Sequence, residues 1–268
     1  MSKDVESIAE EFLQVSSHLR LGVLLHLLEK NDNLSSLTKI LDVTASEMHR
    51  NLKRMSDANL ISKNNEGHYA LTSYGKMVCA MVSSWEFVTN NSEYFITHEF
   101  GMVPQLFLQS IGSLNNSEHV KGFVNVQDIW KKIYSNATKY MHNILFEVSY
   151  DSEILSIITS QLNKGVNICS IFLEDAILPE SRKKVIGNKD ILSAIQEQIL
   201  VRRTIRDINT LVVLNEKEAF VMFPKSDGKI DVSEGFYSND KNFHNWCLEY
   251  FDYCLNSSGS FFEAKLKK

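Results

Sequence analysis

Apolar residues recur at helical spacing through the first ninety positions. Val5, Ile8, Ala9, Phe12 and Leu13 fall on one stripe, which predicts an amphipathic helix over 4–16. A second predicted helix runs over 17–30, with Ser17 at its N-cap, and the Asn31-Asp32-Asn33 cluster breaks it. A short third helix covers 34–41. A fourth covers 45–58, and Thr44-Ala45-Ser46-Glu47 before it fits a capping box, in which the threonine oxygen takes the N3 amide and the glutamate returns to the cap amide. The stretches 59–63 and 68–72 flank a polar, glycine-containing turn and read as a β-hairpin. A further helix follows over 73–88. Helix, helix, short helix, capped helix, hairpin, helix is the order of a winged helix-turn-helix.

The pattern changes near Trp85, and Asn90-Asn91-Ser92 makes a polar break. Helices are expected over 105–111, after Pro104, and over 126–140. A buried strand at 144–148, a helix over 152–164 stopped by Gly165 and a strand at 166–173 form a strand–helix–strand unit, which implies a parallel pair. Helical patterns return over 179–199. Strands then crowd at 201–205, 210–214 and 219–223; Asp227-Gly228 turns the chain before 229–237, and an aromatic-rich helix closes it over 239–255. The fold class is therefore α/β (α+β overall): an N-terminal winged helix-turn-helix domain over 1–90 and a mixed-sheet domain over 91–268. The 268 residues agree with two domains at ~150 residues each.

Charge sharpens the first domain. The whole chain carries −5, and residues 1–95 hold nine basic against twelve acidic residues. Within 49–63 the balance reverses, with Arg50, Lys53, Arg54 and Lys63 against Asp57 alone. On the fourth helix Met48, Leu52 and Met55 share the inward face. Ser46, His49 and Arg50 are then placed to meet base edges and Lys53 and Arg54 to meet phosphates, and Thr44 and Ala45 at the helix start count among the DNA-binding residues. The hairpin adds Lys63, Asn65 and His68 along the neighbouring backbone. An ordinary solvated helix face would carry similar charge, and it is the helix order around it that favours double-stranded DNA as partner. Low overall basicity predicts modest affinity per subunit and a shallow salt dependence.

Other chemistry is excluded motif by motif. The longest apolar run, 21–28, is interrupted by His26 and falls far short of the ~20 residues of a bilayer span. The acidic N-terminus does not read as a signal peptide, so a cytoplasmic protein with no membrane partner is the expectation. Cys79, Cys169, Cys247 and Cys254 have no zinc-site spacing and read as buried or half-buried thiols. His98-Glu99 begins a zincin pattern, but position 102 is Met; His98 is read as satisfying a local hydrogen bond, and no metal is expected. Ser181 to Lys184 matches S-x-x-K only formally. P-loop, Rossmann and G-x-S-x-G patterns are missing. Trp130 and Trp246 are read as core, and Arg202, Arg203 and Arg206 as a solvated strand edge rather than an anion site.

The segment 41–61, LDVTASEMHRNLKRMSDANLI, resembles the ArsR/MarR-like winged-helix regulators of archaea and bacteria. Tyr94 to Phe100 with Pro104, Asp227 to Asp231, and Phe243 to Cys247 resemble the C-terminal domain of archaeal regulators related to methanogenesis-regulatory proteins. That resemblance implies a phospholipase D-like architecture used without catalysis. The catalytic version needs H-x-K-x4-D; this chain has His119-Val120-Lys121, but Val126 at the aspartate position and Asp128 two residues late. The expectation is a dimeric DNA-binding transcriptional regulator, not an enzyme and without cofactor, whose second domain senses an unknown small molecule or dimerises. The alternatives are a winged-helix protein-interaction module, favoured by the acidic balance, and a methyltransferase-like enzyme with an appended winged helix. The latter needs a glycine-rich loop after its first strand, where this chain has Ser149-Tyr150-Asp151-Ser152-Glu153.

Overall fold

The computed structural model describes residues 5–147, 152–177 and 189–261. The chain divides into two compact units, Met1–Trp85 and Glu86–Lys268.

The first unit contains α1 (Val5–Val15), α2 (His18–Glu29), β1 (Asp32–Asn33), α3 (Leu34–Ile40), α4 (Ala45–Asp57), β2 (Ile61–Lys63), β3 (His68–Leu71) and the start of α5 (Ser73–Asn90). Its core joins Val23 and Leu24 of α2, Leu37 of α3, Met48, Leu52 and Met55 of α4, and Ile61 and Leu71 of the hairpin. Burying each such side chain stabilises by ~1.5–3 kcal/mol, and this outweighs the weak intrinsic stability of short helices. Two local expectations change. Ser17 stands at the α2 cap in extended conformation, but its side chain makes no capping bond. The Asn31–Asn33 breaker is partly a strand: Asp32 and Asn33 pair with Tyr69 and His68, giving a three-stranded sheet in the order β1-β3-β2. Polar residues succeed there because each has a partner. Asp32 Oδ2 meets His26 Nε2 at 2.9 Å and accepts from Ser36 Oγ at 2.8 Å, while Asn33 Oδ1 caps α3 by accepting from Ser36 N.

The second unit contains α6 (Tyr94–Thr97), α7 (Gln105–Gln109), β4 (Glu118–Lys121), α8 (Phe123–Asn136), β5 (Tyr140–Glu147), α9 (Ser152–Asn163), β6 (Asn167–Ile177), α10 (Lys189–Gln196), β7 (Leu200–Ile205), β8 (Leu211–Asn215), β9 (Ala219–Met222), β10 (Glu234–Ser238), α11 (Lys241–Ser257) and β11 (Gly259–Ser260). Among the described residues the sheet has eight strands in the order β11-β7-β6-β5-β8-β9-β10-β4. β5, β6 and β7 run parallel and the other pairings are antiparallel, so the mixed sheet and its parallel pair are as expected. β8 and β9 are buried at every position, and α11 packs across them with Phe243, Trp246, Tyr250 and Phe251 inward.

Several boundaries differ from the sequence reading; β5 begins at Tyr140 rather than 144, and β6 runs on to Ile177. The helix expected over 126–140 begins at Phe123 and ends at Asn136, and Tyr140 already belongs to β5. The Glu216 carboxylate holds the chain out of the helix there, accepting from Thr138 N, Thr138 Oγ1 and Lys139 N. The strand expected from 229 starts at Glu234, because Asp231 Oδ1 accepts from both Ser233 N and Ser233 Oγ and forms a turn. The residues of the incomplete catalytic pattern, His119 to Lys121, belong to β4, a short edge strand beside β10. The S-x-x-K stretch and most of the loop after β5 lie outside the described residues.

Candidate nucleic-acid interface

The first unit presents α4 as a capped rod with an apolar underside. Thr44 Oγ1 accepts from Glu47 N at 3.2 Å, the threonine half of the expected box. Met48, Leu52 and Met55 are fully buried and fix the helix's roll. The α3–α4 turn closes with Val43 N donating to Thr38 O, and Asp42 takes a left-handed φ of 49°. At the far end Asn59 has φ 58°, and Leu60 N returns to Met55 O at 2.9 Å.

With that roll fixed, Thr44, Ala45, Ser46, His49, Arg50 and Lys53 are all exposed. Ser46, His49, Arg50 and Lys53 lie within one arc of the helix, since positions three, four and seven apart share a face. Arg54 is also exposed but lies on the flank. It borders a shallow cleft with Glu10, Glu11 and Gln14 of α1 and with Asp57. Acidic neighbours there offset its positive charge, which they do not do for Lys53. Asp57, one turn beyond Lys53, sets the end of the basic face.

The hairpin turn is ordered by its own side chain. Asn64 Oδ1 accepts from Glu66 N at 3.0 Å and His68 N at 2.8 Å, and Gly67 supplies the φ of 88° that the turn needs. Asn65 and Lys63 are exposed, whereas His68 is half-buried. The Lys63 ammonium lies 5.4 Å from the Tyr69 ring centre, a cation–π contact that holds it near the hairpin face.

Sequence reasoning missed Arg20. This buried guanidinium donates from Nε to Gln14 O at 2.5 Å and from Nη2 to Leu13 O at 2.6 Å, and reaches Asn51 Oδ1 on α4 at 3.3 Å. It ties the end of α1 to the flank of α4. Burial, and then nearby Arg54, push its pKa below the usual value. A lone arginine inside an apolar helix pattern was the available signal.

In the second unit, Trp130 and Trp246 are core. Cys79, in the first unit, and Cys247 and Cys254, in the second, are buried and Cys169 is half-buried; burial pushes the Cys169 thiol up to about 11 and that of Cys254 to about 12. The three arginines are engaged: Arg203 with Ser258, Arg206 with Glu174 at 2.6 Å, and Arg202 over the Phe261 ring. His119 pairs with Glu234, Val126 is buried, and Asp128 is exposed on α8, so no aspartate completes the catalytic pattern around His119 and Lys121. None of the described helices is long and apolar enough to cross a membrane.

Residues 11–87 match the family described as "Methanogenesis regulatory protein FilR1, N-terminal domain". A methanogenesis regulatory protein FilR1 from Methanothrix harundinacea (strain 6Ac) is 22% identical over 269 residues, covering 94% of this chain. The chain spans 58% of that relative's length. The solved structure of TrmBL2, an archaeal chromatin protein, aligns with 97% of this chain and 100% of its own at 13% identity and a TM-score of 0.43. Nuc from Salmonella typhimurium, a phospholipase D family member, aligns with 55% of this chain and 99% of its own at 11% identity and a TM-score of 0.39. Scores that low bring neither fold nor activity to this chain. The ArsR/MarR-like label finds no counterpart among these matches.

Proposed function

We propose that the protein is a DNA-binding transcriptional regulator whose first unit is a winged helix-turn-helix. α4 enters the major groove, Ser46, His49 and Arg50 meet base edges, Lys53 meets phosphate, and the hairpin with Lys63, Asn65 and His68 follows the neighbouring backbone. The observation that carries this reading is the exposed Ser46–Lys53 arc on a helix whose opposite face is fully buried. The similarity of residues 11–87 to a regulatory-protein domain supports it. Arg54 is assigned a secondary role, given its acidic neighbours.

A homodimer is part of the proposal. Arg50, Lys53 and Lys63, with Arg54 at the flank, give modest affinity per face, and two copies add theirs on half-sites about 34 Å apart. The exposed apolar residues Phe12, Met77, Met81 and Trp85 on α1 and α5 are the surface a second copy would cover. The second unit, in this reading, senses an effector or pairs, and works inside the cell without catalysis. A mobility-shift comparison of wild type with Arg50→Ala and Lys53→Ala on duplex DNA tests the face. Both variants weaken binding; unchanged binding in both discards it. If the first unit docks protein instead, salt-sensitive duplex binding is missing altogether.

A further inference from the structure

One cluster of ionisable side chains in the second unit has no place in that reading. His98 follows α6, Asp231 sits in the turn before β10, Glu234 is the first residue of β10, and His119 is on β4. His98 and Asp231 are almost fully buried, and Glu234 is about a quarter exposed. The ligand-capable atoms of His98, Asp231 and Glu234 all lie within 4.8 Å of one another.

The hydrogen bonds orient this cluster. His98 Nδ1 lies 3.1 Å from the Tyr94 carbonyl and 3.0 Å from Thr97 Oγ1, contacts that hold the ring in place and leave Nε2 facing the carboxylates. Nε2 faces Asp231 Oδ2, 3.0 Å away, with Glu234 Oε1 at 4.0 Å. One imidazole nitrogen and two carboxylates thus converge on one point, a donor set that a divalent cation can share. Each ligand is also held from behind. Ser233 binds the other oxygen of Asp231, His119 Nε2 meets the other oxygen of Glu234 at 2.8 Å, and the Tyr94 ring stacks on His98 at 3.8 Å. A carbonyl behind the histidine and partners behind the carboxylates are the usual outer support of a metal site. Lys225 Nζ, 3.7 Å from Asp231 and half exposed, supplies positive charge that can swing into solvent when a cation enters.

We infer that the second unit binds one divalent first-row transition-metal ion through His98 Nε2, Asp231 and Glu234, with His119 as the positioning residue for Glu234. A nitrogen–oxygen donor set with imidazole suits zinc, cobalt, iron or manganese better than calcium or magnesium. Ligand bonds of ~2.1 Å place tetrahedral ligand atoms ~3.4 Å apart, so the cluster closes by under 2 Å to grip the ion, roughly a side-chain adjustment. Entry is from the β4 edge, where His119 and Glu234 reach solvent. His98 makes the local contact expected of it, with Tyr94 O, and the proposal adds ligation through Nε2, which makes the effector class a metal ion.

The test is titration of the chelator-treated full chain with cobalt(II) chloride, followed by its visible absorption, and competition with zinc. One equivalent per chain is expected, with d–d bands of a low-coordinate site. Glu234→Gln and His119→Gln each weaken binding about tenfold or more, the range that removing even a supporting partner gives. His18→Ala, an exposed histidine of the first unit, leaves it unchanged. Both changed positions are partly exposed, so if one variant fails to fold by circular dichroism the other carries the comparison. No cobalt uptake by the wild type, or unchanged affinity in a folded Glu234→Gln or His119→Gln protein, overturns the assignment. The titration needs no DNA, so its failure leaves the proposed DNA-binding face untouched.

Discussion

Gly75→Ala should destabilise the first unit although it replaces a helical glycine by the best helix former. A Cβ built at Gly75 lies 2.0 Å from the carbonyl oxygen of Leu60 and 3.0 Å from its carbon. Those are backbone atoms, and they are already held: Thr72 N and Thr72 Oγ1 both donate to Leu60 O, and Gly75 N donates to Thr72 Oγ1. α5 must therefore retreat and break these bonds. Helix propensity returns ~1 kcal/mol, whereas overpacking costs ~1–3 kcal/mol and each broken hydrogen bond ~1 kcal/mol. The expected net loss is about 1–3 kcal/mol. Gly22→Ala in α2 is the internal control. Its Cβ meets only Leu41 Cδ2 at 3.1 Å, the movable end of a half-buried side chain, so the result should lie between neutral and ~1 kcal/mol stabilising. Urea unfolding of both variants reads the two signs. A Gly75→Ala protein as stable as wild type would refute the close approach of α5 to the end of α4, and with it the way the hairpin is set.

Three further outcomes follow from the contacts. Arg20→Met keeps the stem but removes three charged hydrogen bonds, and should cost ~2–4 kcal/mol in denaturant unfolding, with the α1 end loosened in hydrogen exchange. Burial raises the Glu216 carboxyl, but the bonds from Thr138 and Lys139 outweigh it and hold its pKa down to about 2 against an ordinary 4.5. A depressed acid stabilises the fold above its unfolded value, so this contribution, at most ~3 kcal/mol, is lost as pH falls from about 4.5 toward 2; Glu216→Gln should flatten acid unfolding in that window. His142, between the Tyr140 and Phe251 rings, is pushed down to about 4 from 6.5, first by burial and then by His244. The unfolded chain binds that proton more readily, so stability declines as pH drops from about 6.5 toward 4, and His142→Phe should remove that decline in a melting series.

The first unit is legible because its signals are local. The α4 face follows from 3.6-residue spacing, Thr44 announces the helix start, and Gly67 marks the turn. β1 is hidden because two residues make no period and Asp32 and Asn33 have the composition of a loop; their strand exists through pairing with β3. In the second unit the long apolar strands β6 and β8 are readable, while β4 is too short and too polar. The end of α8 escapes because Glu216, almost eighty residues on, decides it. For the same reason the His98 cluster is invisible in the sequence: His98 and Asp231 stand 133 residues apart, and only the sheet register of β10 against β4 brings His119 beside Glu234. Nor does spacing alone show that the acids of α1 border the flank where Arg54 lies.

The most direct test of the central claim is the salt dependence of duplex DNA binding by wild type and Lys53→Ala, followed by fluorescence anisotropy. Wild-type affinity should fall linearly with salt on a logarithmic scale. Lys53→Ala should lower that slope by about 0.9 per half-site, the value for one phosphate left without its lysine. Duplex binding indifferent to salt, or an identical slope in the variant, would contradict the placement of α4 against the DNA backbone.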